Sequence, residues 1–415
     1  MKKLIKRIFP FISFFWHMLM KAIFFVKKQI QLKTALKFVL SDDTQLGETV
    51  FIIKEDTVEQ SSFQKVANHI VSGKISFTLP AIYMKKYTDA LIFPSSDFII
   101  IQDKAVWHKS KYPHFTKIMP LDKNLIKYRD RVLYIQMPKK IIEIKNGFSL
   151  CGVHSKVWAH FIVQYLPKID YIQRIIDTTS DTLTIIIPQY KDPQIKEIIN
   201  TFLKNIEGLT IIELKDDEAA KCKCLYYVEN TSVLSDHASY ICPSDLIIPK
   251  FVLSFLKDKF ICNQNLFPSI KNRKTTPYRK LFINRGVSAL SPLGDTKNMK
   301  NISEIEQYFK EEGFEFISPH EYSIDAKRNL FHEALYIVGP ASSGFINMIF
   351  SQPDTKVLMF INFQRVYDLY GSILADNFDI DLHALTGNDT HPSDIHSSYS
   401  ISLEKVISAY KNLVD

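Results

Sequence analysis

The stretch Ile337-Val338-Gly339-Pro340-Ala341-Ser342-Ser343-Gly344-Phe345-Ile346-Asn347 decides how this chain is read. It continues an apolar run of strand length that begins at Ala334. Gly339 and Pro340 stop that run, small residues follow, and a second apolar run predicts a helix over 342–350. Strand, tight turn and helix in that order make a βα unit. A helix start presents N–H groups with no partner in the helix, together with the positive end of its dipole. Ser342, Ser343 and Gly344 therefore suit an anion such as a diphosphate, and they are small enough to let it approach. An ordinary capped turn has the same spacing, so both readings stay open. The segment also approaches the nucleophile elbow G-x-S-x-G, but Pro340 stands where the first Gly belongs, which disfavours a serine hydrolase.

The same rhythm extends to both sides. A strand over 280–284 runs into Arg285, and a helix over 301–312 is stopped by Gly313. A strand over 314–317 ends at Ser318 and Pro319, and a helix over 323–333 has Ser323 as its N-cap. Beyond the decisive turn come a strand over 356–361, a helix over 364–375, a short strand near Ile380 and a final amphipathic helix over 401–413. Upstream, apolar residues at helical spacing cover 156–176. They precede a strand over 183–188, a helix over 192–205, strands over 209–214 and 225–228, and a helix over 247–259. Alternation of this kind predicts parallel βαβ units. Residues 45–150 carry only short strand-like runs, at 50–54, 91–101 and 131–137, and read as an irregular α+β region. The expected division is a basic apolar segment 1–40, an N-terminal α/β domain 41–262, a connection 263–280, a C-terminal α/β domain 281–400 and a helix 401–415. Two such domains place a ligand crevice between them, at the C-terminal ends of strands.

Composition bounds the function. With 415 residues the chain is long enough for two or three domains. At 46% hydrophobic and 23% charged it can bury sizeable cores, and 12 glycines without an internal repeat exclude collagen-like and solenoid architectures. The net charge of +8 is concentrated in an acid-free N-terminus carrying Lys2, Lys3, Lys6, Arg7, Lys21, Lys27, Lys28, Lys33 and Lys37. The rest is near neutral, which argues against a nucleic-acid-binding face. Five cysteines, an odd number, suggest reduced thiols in a cytosolic protein and not a disulfide framework. Residues 9–26, FPFISFFWHMLMKAIFFV, are apolar, aromatic-rich and flanked by cations. Lys21 interrupts a span and no small-residue cleavage site follows, so an interfacial helix on anionic lipid is favoured over a transmembrane anchor.

Some polar side chains fall at strand ends. Arg285 could clamp a phosphate with two parallel hydrogen bonds, or form a surface ion pair. His154 and His160 flank the first helix of the βαβ region, where a histidine serves as a general base or as a structural residue beside Trp158 and Phe161. The loop from Ser318 to Tyr322 could hold a nucleobase through its backbone or be a plain connection. His237, His383, His391 and His396 are scattered, and Asp379 and Asp381 lie far from the anion turn, so no metal cluster is expected.

These residues carry a resemblance. WAHFIVQYLPKIDYI (158–172), LFINR (281–285), KNISEIEQYFKEEGFEFISP (300–319) and LFHEALYIVGPASSGFINMIF (330–350) resemble segments of glycosyltransferase family 61, whose bacterial members include capsular and surface polysaccharide biosynthesis proteins. His160, Leu166, Pro167, Arg285, Asn301, Gly339, Pro340, Gly344, Asn347 and Phe350 match the family's pattern. Lys168 replaces a usual Arg, Ala341 a His, Ser342-Ser343 a Gly-Ala, Ile302 a Glu and Met359 a common Glu. The resemblance implies a GT-B-like α/β fold, with two Rossmann-like domains facing across a cleft and the donor on the C-terminal one. It implies inverting transfer of a sugar from a nucleotide sugar to a saccharide or lipid-linked acceptor, with no metal or other cofactor. On this reading Arg285, Ser342, Ser343, Gly344 and Asn347 serve the donor phosphates, Ser318, Pro319, His320 and Glu321 line the nucleobase, and His160 is the base, with His154 on the acceptor side. The basic apolar N-terminus then holds the enzyme at the cytoplasmic face of the inner membrane, in surface polysaccharide or lipopolysaccharide synthesis. Two alternatives remain: a non-catalytic saccharide-binding or scaffold homologue, and a lumenal type II transferase of a secretory pathway, prompted by sequons at Asn230, Asn301 and Asn388.

Overall fold

A computed structural model describes residues 32–40, 47–53, 56–62, 73–79, 81–107, 122, 124–129, 132–178, 181–232, 234, 247–262, 266, 276–284, 299–362, 370–389 and 397–415. The apolar segment 9–26, Arg285, residues 263–265 and 267–275 of the connection 263–280, and His237, His391 and His396 lie outside the described residues.

The chain is a mixed α/β protein built on two large sheets. The first draws on β1 (Leu32–Leu40), β2 (Glu48–Ile53), β5 (Ile82–Ile92), β6 (Phe98–Ile101), β7 (Lys104–Trp107), β8 (Leu125–Arg129) and β9 (Val132–Gln136). It also takes in β10 (Lys140–Ser149), β11 (Leu183–Pro188), β12 (Leu209–Leu214) and β13 (Glu218–Val228). They form an 11-stranded sheet ordered β12-β11-β10-β13-β5-β6-β7-β1-β9-β8, with β2 against β5. Strands β3 (Asp56–Ser62) and β4 (Gly73–Leu79) pair with each other as a separate antiparallel ribbon. Pairings among β10 to β13 are parallel, and β13 meets β5 antiparallel.

Three expectations need correction here. Residues 32–40 are a strand paired with β7 and β9, so the sheet begins inside the segment assigned to the membrane-associating stretch. The irregular region and the βαβ region share one sheet. And β13 starts at Glu218, well before Leu225, because its first half alternates Lys221 and Lys223 with buried Cys222 and does not read as an apolar run.

The expected helix over 156–176 is four short pieces: α1 (Trp158–His160), a π turn Phe161–Tyr165, a 3-10 stretch Leu166–Tyr171 and α2 (Ile172–Thr178). Pro167 is the cause. It has no N–H for the carbonyl of Val163 four residues back, and its ring crowds that carbonyl, so the α ladder cannot run through. The next helices, α3 (Pro193–Leu203) and α4 (Lys250–Lys257), are regular, and Asp192 caps α3 by accepting from the Gln194 N–H at 2.9 Å.

The C-terminal sheet matches its sequence closely. Its strands are β14 (Arg279–Ile283), β15 (Glu315–Ile317), β16 (Ala334–Pro340), β17 (Lys356–Asn362), β18 (Asp381–Asp389) and β19 (Tyr399–Ser400). They lie in the order β15-β14-β16-β17-β18-β19, all pairs parallel except the last. The strand expected near Ile380 is a nine-residue strand, whose polar ends hid its length. Helices α5 (Ile302–Glu311) and α8 (Leu403–Val414) cover one face, where Ile305, Phe309, Val406 and Tyr410 meet Phe282, Val338 and Phe360. The terminal helix thus belongs to this domain's core. Helix α6 (Ile324–His332), the 3-10 helix Ser343–Phe350 and α7 (Tyr370–Phe378) cover the other face, against Leu281, Ile283, Ile337 and Met359. Alternating residues of one strand, Ile337 and Val338, go to opposite cores, as the pleat requires.

The second face does not end at its own helices. Phe148, Phe161, Ile195, Val252 and Phe260 of the N-terminal half belong to the same buried cluster as Ile283, Ile337, Phe345 and Phe350. The rings of Phe260 and Phe350 meet edge-on with centroids 5.2 Å apart. One apolar core therefore spans both sheets.

Candidate functional site

In local numbering the five parallel C-terminal strands run 2-1-3-4-5, the order of a doubly wound sheet with its reversal between the first and third strands. Those are β14 and β16. The next described helix after β14 is α5 on one face, and β16 is followed by the 3-10 helix on the other, so this is the strand reversal at which doubly wound sheets take ligands. Asn284 lies at this edge, its N–H donating to the Ile317 carbonyl at 2.8 Å, and Arg285 is the next residue in the chain.

The turn after β16 is built by close approach. Gly339 has φ +151°, and a Cβ there would sit 2.6 Å from the Ile283 carbonyl oxygen, so only glycine lets β16 pass β14 at this point. The Ala341 N–H donates to the Phe360 carbonyl at 2.8 Å. Ser342 is the N-cap of the 3-10 helix, and its Oγ accepts from the Gly344 N–H at 3.3 Å. Ser342 and Gly344 are half-buried and Ser343 is exposed, so the small-residue turn expected after this strand is present and reaches the surface at the reversal point.

Asn347 is fully buried beneath the turn. Its Nδ2 donates to the Gly344 carbonyl at 2.8 Å, and its Oδ1 accepts from the indole N–H of Trp158 at 3.1 Å. That second bond ties the turn to the segment carrying His160, 189 residues earlier. The Lys327 ammonium lies 3.9 Å from the centre of the Trp158 ring and also donates to Gln194 Oε1. Burial drives the Lys327 pKa down from 10.5 to about 7, against the pull of Asp192 and Glu197. Gln194 Nε2 in turn donates to the carbonyls of Pro319, His320 and Tyr322 at 3.2, 2.6 and 2.6 Å. The loop Ser318–Glu321 is thereby bound to α3. Its carbonyls are engaged inside the protein, while His320 and Glu321 point their side chains outward. A nucleobase held through the backbone of Ser318–Tyr322, as the sequence reading allows, would share these carbonyls with Gln194.

His154 and His160 are half-buried neighbours with ring centroids 4.8 Å apart. His154 has φ +62°, and the preceding Val153 is fixed by two bonds: its N–H to Asp97 Oδ1 at 3.2 Å and its carbonyl to the Tyr165 hydroxyl at 2.5 Å. Next to Asp97, Asp122 is buried and accepts from Ser96 Oγ at 2.6 Å, and burial pushes its carboxyl up to about 7. Lys168, also fully buried, donates to Asn230 Oδ1 at 2.9 Å and lies against the rings of Tyr165 and Tyr227. A glycan on Asn230 has no room, which removes one of the sequons that prompted a secretory reading.

Other candidates resolve simply. Cys151 and Cys222 are buried free thiols whose burial pushes their pKa up to about 12, and they are inert. His383 pairs with Asp381 at 3.0 Å. Among the described residues no group of three or more His, Cys, Asp or Glu side chains gathers as a metal set. Sequence reasoning missed Trp158, Gln164, Gln194, Lys327 and Asp97. Only Gln164 carried a local signal, four residues after His160 and so on the same helical face.

A doubly wound sheet with a small-residue turn at its strand reversal is an α/β architecture whose ligand sites fall at strand ends. Residues 158–358 match the model of the Glycosyltransferase 61 family, and that match supports glycosyltransferase activity. The match begins at Trp158 and includes His160, the anion turn and Asn347. No curated protein matches the chain.

Proposed function

We propose that the protein moves a sugar from a nucleotide sugar to a hydroxyl of a saccharide or lipid-linked acceptor, with inversion and without a metal, in a GT-B-like arrangement. The observation that carries this reading is the bond between Trp158 and Asn347, which joins the segment bearing His160 to the turn at the strand reversal. The donor diphosphate sits at that turn. A phosphate oxygen takes the place of Ser342 Oγ on the Gly344 N–H, and Arg285, next in chain after Asn284, adds a cation. The acceptor oxygen attacks the anomeric carbon as the bond to the leaving phosphate oxygen breaks. His160 takes the acceptor proton, and the departing diphosphate keeps the electron pair, stabilised by the guanidinium and the turn. His154 shapes the acceptor side. The apolar segment 9–26 with its flanking cations supports an acceptor held at the cytoplasmic face of an inner membrane, as in capsular or other surface polysaccharide synthesis.

The test is a thermal-shift screen of uridine, guanosine and cytidine sugar nucleotides against the full chain, with and without chelator, repeated on Arg285→Ala. The wild type should be stabilised by at least one nucleotide regardless of chelator, and Arg285→Ala should melt normally but lose the shift. A shift that appears only with added Mn²⁺ would remove the metal-free reading, and an unchanged shift in Arg285→Ala would remove the role of Arg285.

A further inference from the structure

We propose that Gln164 is the positioning residue that makes His160 a base through Nε2, by holding a proton on its Nδ1. This rests on the reading of His160 as the base.

The argument starts from the break at Pro167. The π turn Phe161–Tyr165 widens the helix, and the Leu166 N–H reaches back five residues to the Phe161 carbonyl. The Val163 carbonyl loses the donor that Pro167 cannot supply. Thr231 takes it over: its hydroxyl donates to the carbonyls of Val163 at 3.1 Å and Gln164 at 3.2 Å. Thr231 and its neighbours Asn230 and Ser232 are buried, so this loop is a fixed part of the helix's surroundings.

The loop then sets the direction of one amide. Gln164 is buried, and its Nε2 donates to the Ser232 carbonyl at 2.9 Å. A carbonyl can only accept, so the nitrogen end of the amide must face Ser232 and the oxygen end must face the other way. That oxygen lies 2.8 Å from His160 Nδ1. An amide oxygen can only accept, so Nδ1 must carry the hydrogen. In a neutral imidazole one nitrogen donates and the other accepts, which leaves Nε2 as the basic nitrogen. The tautomer of His160 is thus dictated by a backbone carbonyl 68 residues away from Gln164, through one side chain. In the transfer step the acceptor proton goes to Nε2, giving an imidazolium whose Nδ1–H stays on Gln164. A neutral amide holds the tautomer without adding a charge beside the incoming saccharide. The other titratable ring at this face, His154, lies tilted against His160 with the ring centroids 4.8 Å apart.

The experiment measures the tautomer directly. Two-bond ¹H–¹⁵N correlation spectra of the ¹⁵N-histidine-labelled full chain, with His160 assigned by comparison with His160→Gln, distinguish the protonated from the bare ring nitrogen. Neutral His160 should be Nδ1–H in the wild type and in Gln164→Glu, which keeps an acceptor at the same place, and should shift toward Nε2–H in Gln164→Leu. Transfer from whichever uridine or guanosine diphosphate sugar is turned over should fall about 10- to 100-fold in kcat for Gln164→Leu with donor KM unchanged, the range found when the partner orienting a functional histidine is removed at metal sites. An Nε2–H wild type, or a Gln164→Leu variant that keeps Nδ1–H, overturns the proposal. Should Gln164→Leu fail to fold, the wild type and Gln164→Glu still decide it. His160→Gln with full turnover would sink the base assignment instead, whatever the tautomer proves to be.

Discussion

The turn Ala341–Gly344 and the segment Trp158–Tyr171 face the same problem by opposite means. Each must hold an irregular backbone beside a buried core. The turn solves it with the main chain: a glycine that lets two strands touch, a serine cap, and one asparagine beneath. The broken helix solves it with groups from elsewhere: the Thr231 hydroxyl supplies the donor that Pro167 removed, while Asn230 and the Ser232 carbonyl accept from Lys168 and Gln164 beside it. A main-chain solution is sensitive to added bulk and tolerant of changes in chemistry. A side-chain solution is the reverse.

The largest effect should come from bulk at the turn. Gly339→Ala puts a Cβ 2.6 Å from the Ile283 carbonyl at a φ that side chains avoid, and should cost about 3 kcal/mol in a urea-denaturation midpoint. A loss under about 1 kcal/mol would mean the strands can part cheaply. The broken helix should instead respond to an isosteric change. Thr231→Val keeps the volume but strands two buried carbonyls, and should cost about 1–2 kcal/mol by the same assay. A neutral result would show that the π turn holds itself.

The smallest effect concerns the link between the two regions. Lys327 keeps its proton to about pH 10.5 in the unfolded chain but only to about 7 in the folded one. Between those values the unfolded state binds more protons, so stability contributed by this group rises with pH, while below pH 7 the cost of burying the charge is fully present. The slope should stay below about 1.4 kcal/mol per pH unit, the limit for a single proton. Urea midpoints between pH 7 and 9 should rise in the wild type and flatten in Lys327→Met. Parallel slopes in the two proteins would show that the ammonium is not strained.

The same contrast explains what could be read from the sequence. Parallel strands buried on both faces are apolar runs bounded by Gly or Pro, so β11, β14, β16 and β17 and the turn at Ser342 were legible, as were the apolar edge strand β12 and the family. The break in the first helix had its cause in plain view at Pro167, but apolar residues continued at helical spacing through it and masked the change. The half-exposed start of β13 and the polar ends of β18 hid their lengths. Within the site, His160 and Asn347 were legible as residues. Their partners were not: Trp158 with Asn347, Gln164 with Ser232 and Gln194 with the Pro319 loop join residues from 68 to 189 apart, and no local pattern encodes such pairs.

The account depends most on where the diphosphate binds. Hydrogen-exchange mass spectrometry of the full chain, with and without the nucleotide sugar that stabilises it, reads this directly. Peptides spanning Gly339–Phe350 should gain protection on binding, while those of the C-terminal helix Leu403–Val414 stay unchanged. Clear nucleotide binding with no protection at that turn would contradict the account.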